Sequence, residues 1–172
     1  MLKIPEVLND FRVYDEGEEL VGQNADITLP EFNSITDTIN GAGIMGEIED
    51  SVIGQFESAT TNIKWNCLSE PFFHLVSTVR PLQLTFRGAM QIMDRETGHS
   101  DLVGLKIVIR GKSKTVNLGK FEKAKKNECE TDIETIYIKI TSGRDVLFEL
   151  DKLNYRFIVN NEDQLEKLKS MI

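Results

Sequence analysis

Apolar and polar residues alternate with a period of two along most of this chain, the mark of strands with one buried face. Leu82, Leu84 and Phe86 alternate with Gln83, Thr85 and Arg87, and the pattern runs on through Met90 and Ile92. Val103, Leu105, Ile107 and Ile109 share one predicted face, and Ile136, Ile138 and Ile140 oppose Tyr137, Lys139 and Thr141. Shorter runs predict strands at 11–14, 20–29, 56–67, 146–150 and 155–159, the third with Ile63, Trp65 and Cys67 on one face. Turn-forming tracts at 15–18, 94–98 and 142–145 separate several of them.

Helical spacing appears twice. Over 69–79, Phe72, Leu75, Val76 and Val79 form one stripe, with Ser69 as N-cap and Pro71 in the first turn. Over 161–171, Asn161 is the expected N-cap, Gln164 follows three residues on, and Leu165 and Leu168 form a narrow apolar edge. Many short strands with two small helices predict a mainly β fold, a β-barrel or sandwich with a flanking helix and a short C-terminal helix.

One stretch breaks the rhythm. After the strand ending at Pro30 comes a polar excursion over about 33–53 that is too long for an ordinary turn. It nonetheless carries Ile35, Ile39, Ile44, Met45, Ile48, Val52 and Ile53. Either it packs on its own domain, or it is an arm that buries these residues in a neighbouring subunit.

Composition bounds the class. The chain has 172 residues, 40% of them hydrophobic and 28% charged, which fits one globular domain over 1–172. No apolar run is long enough to span a bilayer, and the first residues lack an apolar signal core, so the expectation is a protein kept in the cytoplasm with no membrane insertion as a monomer. Cys67 and Cys129 make no disulfide framework and are expected at core or half-buried strand positions.

The net charge of −8 is unevenly spread, with 13 acids and 2 bases in 1–60 but 4 acids and 9 bases in 61–120. An acidic surface argues against tight nucleic-acid binding. The asymmetry permits acidic-to-basic contacts between copies of the chain, provided the sequence thirds map onto faces.

Sites for chemistry are absent from the pattern. Gly41, Gly43 and Gly46 fit G-x-G-x-x-G, but no buried strand precedes them, no helix follows, and Glu47, Glu49 and Asp50 would repel a pyrophosphate. Asn40 and Gly41 instead predict positive φ in a tight reversal, with the other glycines permitting close backbone approach. His74 on the first helix reads as structural and His99 in a turn as solvated, with no partner at metal-ligand spacing. No cofactor, metal or catalytic set is expected, and no enzyme. Lys106, Arg110, Lys112 and Lys114 form a basic stripe opposite Leu105, Ile107 and Ile109, either a solvated strand face or an intersubunit or lumen face.

The segment ITLPEFNSITDTINGAGIMGEIE, Ile27 to Glu49, resembles the start of the major tail tube protein of contractile-tailed phages. The likeness continues, in order, through Asp94-Arg95-Glu96-Thr97-Gly98, Ile109-Arg110-Gly111-Lys112, LFELDKLN (Leu147 to Asn154) and the closing Asn161 to Lys169. Met1 to Asp10 and Glu16 to Glu19 resemble the family less.

This resemblance implies a β-barrel-like sandwich whose sheets join in a ring of six copies around a lumen. Rings would stack into a rigid tube that a contracting sheath drives through a bacterial envelope, in a phage or in a genome-free, phage-tail-like bacteriocin. An exported type VI-like tube protein is the alternative. The arm would then supply the inter-ring contact, through Ile35, Ile39, Asn40, Gly41, Gly43, Ile44, Met45 and Ile48. Glu162, Asp163 and Glu166 on the last helix would meet the sheath. The partners implied are further copies of the chain, sheath, baseplate or tube-initiator proteins and a tape-measure protein in the lumen, with DNA passage only in a phage. Assembly is expected in the bacterial host cytoplasm, and the finished location in the virion or bacteriocin particle.

Overall fold

The computed structural model describes residues 3–20 and 24–172. In chain order its elements are β1 (Lys3–Asp15), β2 (Glu18–Glu19), β3 (Asn24–Thr28), β4 (Ser34–Ile39), β5 (Ile48–Phe56), β6 (Thr60–Trp65) and α1 (Glu70–His74). Then come β7 (Leu82–Asp94), β8 (Ser100–Asn117), β9 (Cys129–Ser142), β10 (Asp145–Asp151), β11 (Arg156–Val159), β12 (Glu162–Asp163) and α2 (Glu166–Lys169). The fold is mainly β, as the alternation predicts.

One large sheet runs β12-β11-β10-β9-β8-β7-β1-β2, with β6 joined to β9 and β3 joined to β6. Its long centre is β7 to β9, where the alternation is cleanest. Leu84, Ile109 and Ile138 stack inward on three neighbouring strands, each almost wholly buried. Burying such side chains contributes about 1.5–3 kcal/mol each. The turn between β7 and β8 is held by Asp94, whose Oδ1 accepts the N–H groups of Glu96 (2.9 Å) and Thr97 (3.0 Å).

Strand β9 serves two parts of the sheet because of a bulge. Arg110 faces Tyr137 but Gly111 faces Thr135, leaving Ile136 as the extra residue. A bulge bends a strand and raises its twist. Before it, Cys129 to Glu134 pair with β6; after it, Tyr137 to Ser142 pair with β10. The bend wraps the sheet around a core of Ile63, Trp65, Phe72, Leu75, Leu84, Ile109, Ile133 and Ile138. Phe72 of helix α1 and Leu75 just past its end plug that core, and Phe72 meets Trp65 edge to face at 5.7 Å.

Several expectations need correction. The first strand begins at Lys3 rather than residue 11. The strand expected over 20–29 is described as β3 at Asn24–Thr28, and its residues 21–23 lie outside the described part. The helix expected over 69–79 stops at His74, leaving Val79 exposed, and Ser69 makes no side-chain cap. His74 is exposed. The helix expected over 161–171 is Glu166–Lys169, without a capping box. Asn161 instead adopts φ 66° and its Oδ1 accepts the Val146 N–H at 2.8 Å, holding a turn in place of a helix start. Cys129 is buried as expected, but Cys67 lies past the end of β6 and is exposed.

Candidate assembly surface

The excursion is a hairpin arm. β4 and β5 pair only with each other, in a two-stranded sheet apart from the large one. Ile39 faces Ile48, Thr38 faces Glu49, Asp37 faces Asp50 and Thr36 faces Ser51. Since side chains alternate, Ile35, Asp37, Ile39, Ile48, Asp50 and Val52 share one face. On the other, Thr36 Oγ1 donates to Glu49 Oε1 at 2.6 Å.

Every residue of β4 is exposed, as is β5 up to Ile53. Seven large apolar side chains of the arm stand in solvent, from Ile44 at 36% to Met45 at 105%. An isolated two-stranded hairpin is marginal in water, and apolar patches of this kind mark contact sites. Of the two alternatives, an excursion packed on its own domain does not fit these seven exposed side chains.

Between the strands, the reversal uses Gly43 (φ 94°) and Gly46 (φ 109°). The expected positive φ at Asn40 and Gly41 is not there. A Cβ added at Gly41, Gly43 or Gly46 would meet nothing within 4 Å, so the space beside them is open, and Ile44 N–H donates to Gly41 C=O at 3.1 Å across the turn. Within the chain, the glycine cluster is a turn, and β5, not a helix, follows it.

The root of the arm, by contrast, is packed. Glu57 N–H donates to Asn33 C=O at 2.9 Å and closes the base. Phe32 and Phe56 flank the arm and meet edge to face at 6.3 Å. Phe32 also meets Phe148 at 5.4 Å, Phe56 meets Phe157 at 5.1 Å, and Phe148 and Phe157 meet at 5.8 Å. This four-ring cluster joins the arm to β10 and β11, and such pairs add about 0.5–1.5 kcal/mol each beyond burial. The sequence reading missed Phe32 and Phe56 as a pair. Their signal is position, one phenylalanine on each side of the excursion.

The basic stripe lies where alternation puts it, with Lys106, Arg110, Lys112 and Lys114 all exposed on one face of β8. It is a mixed-charge surface. Arg110 pairs with Asp151 at 3.5 Å and lies 3.9 Å over the Tyr137 ring. Lys114 pairs with Glu134 at 3.7 Å, and Lys112 faces Glu134 across the strands. Lys106 has no acidic partner among the described residues.

Next to the stripe, Glu149 is 2% exposed and held by Lys139 (3.3 Å), Arg156 (3.3 Å) and the Tyr137 hydroxyl (3.2 Å). Burial, then the Glu149 carboxylate beside it, pushes the Tyr137 hydroxyl pKa up. Burial pushes Asp151 up, but hydrogen bonds from the Asn154 side chain and from the Asn154 and Leu153 N–H groups outweigh it, leaving the pKa lowered.

The three C-terminal acids separate. Glu162 and Asp163 form β12 and only Glu166 opens α2, so they do not share a helix as expected. Glu162 and Glu166 are exposed. Asp163 is engaged internally, accepting from Lys169 Nζ at 2.7 Å and from Leu165 N–H at 2.9 Å. The Lys169 contact, then the Leu165 hydrogen bond, holds its pKa below the usual value.

Among the described residues no group of three His, Cys, Asp or Glu could hold a metal ion, and no helix is long and apolar enough to cross a membrane. A family model for phage tail tube protein FII matches residues 5–172. No curated protein matches the chain.

Proposed function

The chain belongs to the phage tail tube protein FII family, with the structural role in a phage tail that membership carries, and on that premise we propose that six copies close into a ring and the rings stack into a hollow tube through the arm. The observation that carries this reading is the contrast within the arm. Its root is fixed by four phenylalanines, while the strands of its blade pair only with each other and leave their apolar side chains exposed. In the tube, Ile35, Ile39, Ile44, Met45 and Ile48 are buried against the next ring, with Asn40, Gly41 and Gly43 forming the tip that enters it.

Open sheet edges support closure within a ring. From Lys3 to Arg12, β1 pairs with β7 on one side, and β2 reaches only Tyr14 and Asp15 on the other. Such an edge is a template for pairing with another chain, and Ile4, Val7 and Leu8 lie exposed along it. Joined edges give one sheet around a lumen. Heterologous contacts that do not close by rotation propagate as a filament, which is how rings become a tube.

The surroundings follow from the same reading. A contracting sheath around the tube drives it through a bacterial envelope, and Glu162, Asp163 and Glu166 lie on the sheath-facing side. Lys106, Arg110, Lys112 and Lys114 lie on an intersubunit or lumen face. Baseplate or initiator proteins start the tube, a tape-measure protein occupies it, and assembly takes place in the host cytoplasm before the tube enters a phage or bacteriocin particle. The role is mechanical and non-enzymatic. Negative-stain electron microscopy of the concentrated protein tests it. Rings or tubes with a central hole are expected, and a compact closed oligomer without one would overturn the reading.

A further inference from the structure

Charged residues that face each other across this sheet are mostly of opposite sign. Lys3 faces Asp94, Asp26 faces Lys64, Lys64 faces Glu130, Lys112 faces Glu134, Lys139 faces Glu149 and Arg156 faces Asp151. Like charges directly opposite destabilise a sheet, so the exceptions are informative. Asp15 faces Glu18 at a tight turn. The other exceptions lie on open surfaces. Asp37 faces Asp50 on the arm, while Arg12 faces Arg87 and Arg87 faces Lys106 across β1, β7 and β8.

These groups are largely unneutralised within the chain. Asp37 and Asp50 accept the N–H of the next residue, Thr38 and Ser51, and enter no ion pair among the described residues. Arg12 pairs with Glu19 at 3.3 Å. Arg87 lies 5.2 Å over the Tyr14 ring, and neither it nor Lys106 has an acidic partner among the described residues. All five side chains are exposed.

We propose that the Asp37–Asp50 pair on the arm of one copy docks on the Arg87–Lys106 pair of a second copy. The inference rests on the tube reading and names the surface that receives the arm. Spacing supports it. Each pair sits directly opposite on adjacent strands, so in both the Cβ atoms are about 5 Å apart, and two carboxylates can meet two cations one to one. Shape supports it as well. One rung along from the acids lie Ile39 and Ile48, and one rung along from the cations lie Ala89 and Gly104. A Cβ at Gly104 would meet nothing within 4 Å, so the larger arm side chains have room. Two repulsions that each copy carries alone become attractions on assembly.

Charge reversal in the full chain tests this. Asp37→Lys with Asp50→Lys, and separately Arg87→Glu with Lys106→Glu, should each lower the sedimentable assembled fraction at low salt by about tenfold or more. The variant carrying all four substitutions should recover most of it. A four-substitution variant as defective as its parents, or an Arg87→Glu, Lys106→Glu variant that assembles like the unaltered protein, would overturn the docking. If the Arg87→Glu, Lys106→Glu variant assembles normally but retains less added oligonucleotide, the cations serve a polyanion and the proposal fails. Unaltered protein that forms neither rings nor tubes would overturn the tube reading and the docking with it. A second measurement is independent of charge. With Cys67→Ser, the pair Asp50→Cys and Lys106→Cys should cross-link copies on oxidation of assembled material, and absence of cross-linked chains in formed tubes would contradict the contact.

Discussion

A Cβ added to Gly54 would lie 2.5 Å from Leu165 Cδ2. Gly54 sits near the root of the arm in β5, with φ +73°, and Leu165 is 2% exposed at the start of the C-terminal segment. The close packing ties the arm to the C-terminus. Glycine is needed there twice over, for the left-handed backbone and for the space.

Replacing Gly54 by alanine is therefore expected to destabilise the root by about 1–3 kcal/mol from backbone strain, besides displacing Leu165. Leu165→Ala removes the same contact without strain. Both should raise amide exchange at Phe56 and Glu57 while leaving β7 to β9 protected. Unchanged exchange at the root in both variants would show that the contact does not hold the arm.

The buried hydroxyls of Thr61 and Thr135 lie 2.7 Å apart, each at most 1% exposed. Thr135→Val leaves the Thr61 hydroxyl without this partner and is expected to cost about 1–3 kcal/mol, whereas changing both to valine should cost less than either single change. Denaturant unfolding of the two single variants and the double variant would measure the difference. Additive losses would contradict the pairing.

Much of this fold is legible in the sequence because β7 and β8 present one buried and one wet face, and β9 alternates buried with half-buried positions. Strand β1 hides its length for a physical reason. Two register shifts, between Pro5 and Val7 and between Leu8 and Asp10, break its parity, and its first eight residues are exposed on both faces. Pro5 fits there because β1 is an edge strand along that length. The arm is legible as an anomaly, apolar residues where a loop should be polar. Its anchors are not, because Phe148 and Phe157 are far from Phe32 in sequence and alternation shows only that they face inward. The helices are overread. A four-position stripe in 69–79 ends after Val76, and Asn161 spends its side chain on Val146 N–H across the turn.

Acid should weaken the protein through Asp151. Its folded-state pKa lies below the unfolded value of about 3.9, so its contribution is fully present above that value and is lost as pH falls through the folded pKa. Asp151→Asn should lower stability at neutral pH and flatten the pH dependence below about pH 4. Thermal unfolding across that range measures both. A variant with the same acid slope as the unaltered chain would contradict this assignment.

Sheath contact should depend on Glu162 and Glu166, whose carboxylates are exposed, more than on Asp163, which Lys169 and Leu165 already hold. Glu162→Gln with Glu166→Gln is expected to leave tubes intact and reduce sheath assembly around them. Asp163→Asn is expected instead to loosen α2. Normal sheathed particles from the first variant would remove these acids from the sheath interface.

In the proposed tube, the arm stacks the rings. Electron microscopy of Ile39→Asp with Ile44→Asp beside the unaltered protein tests it most directly. Both positions are exposed in the single chain, so the fold should survive, but a charge buried without a partner is strongly unfavourable in the stacked contact. The expected result is tubes from the unaltered protein and isolated rings or single chains from the variant. Tubes of normal length from the variant would contradict the account.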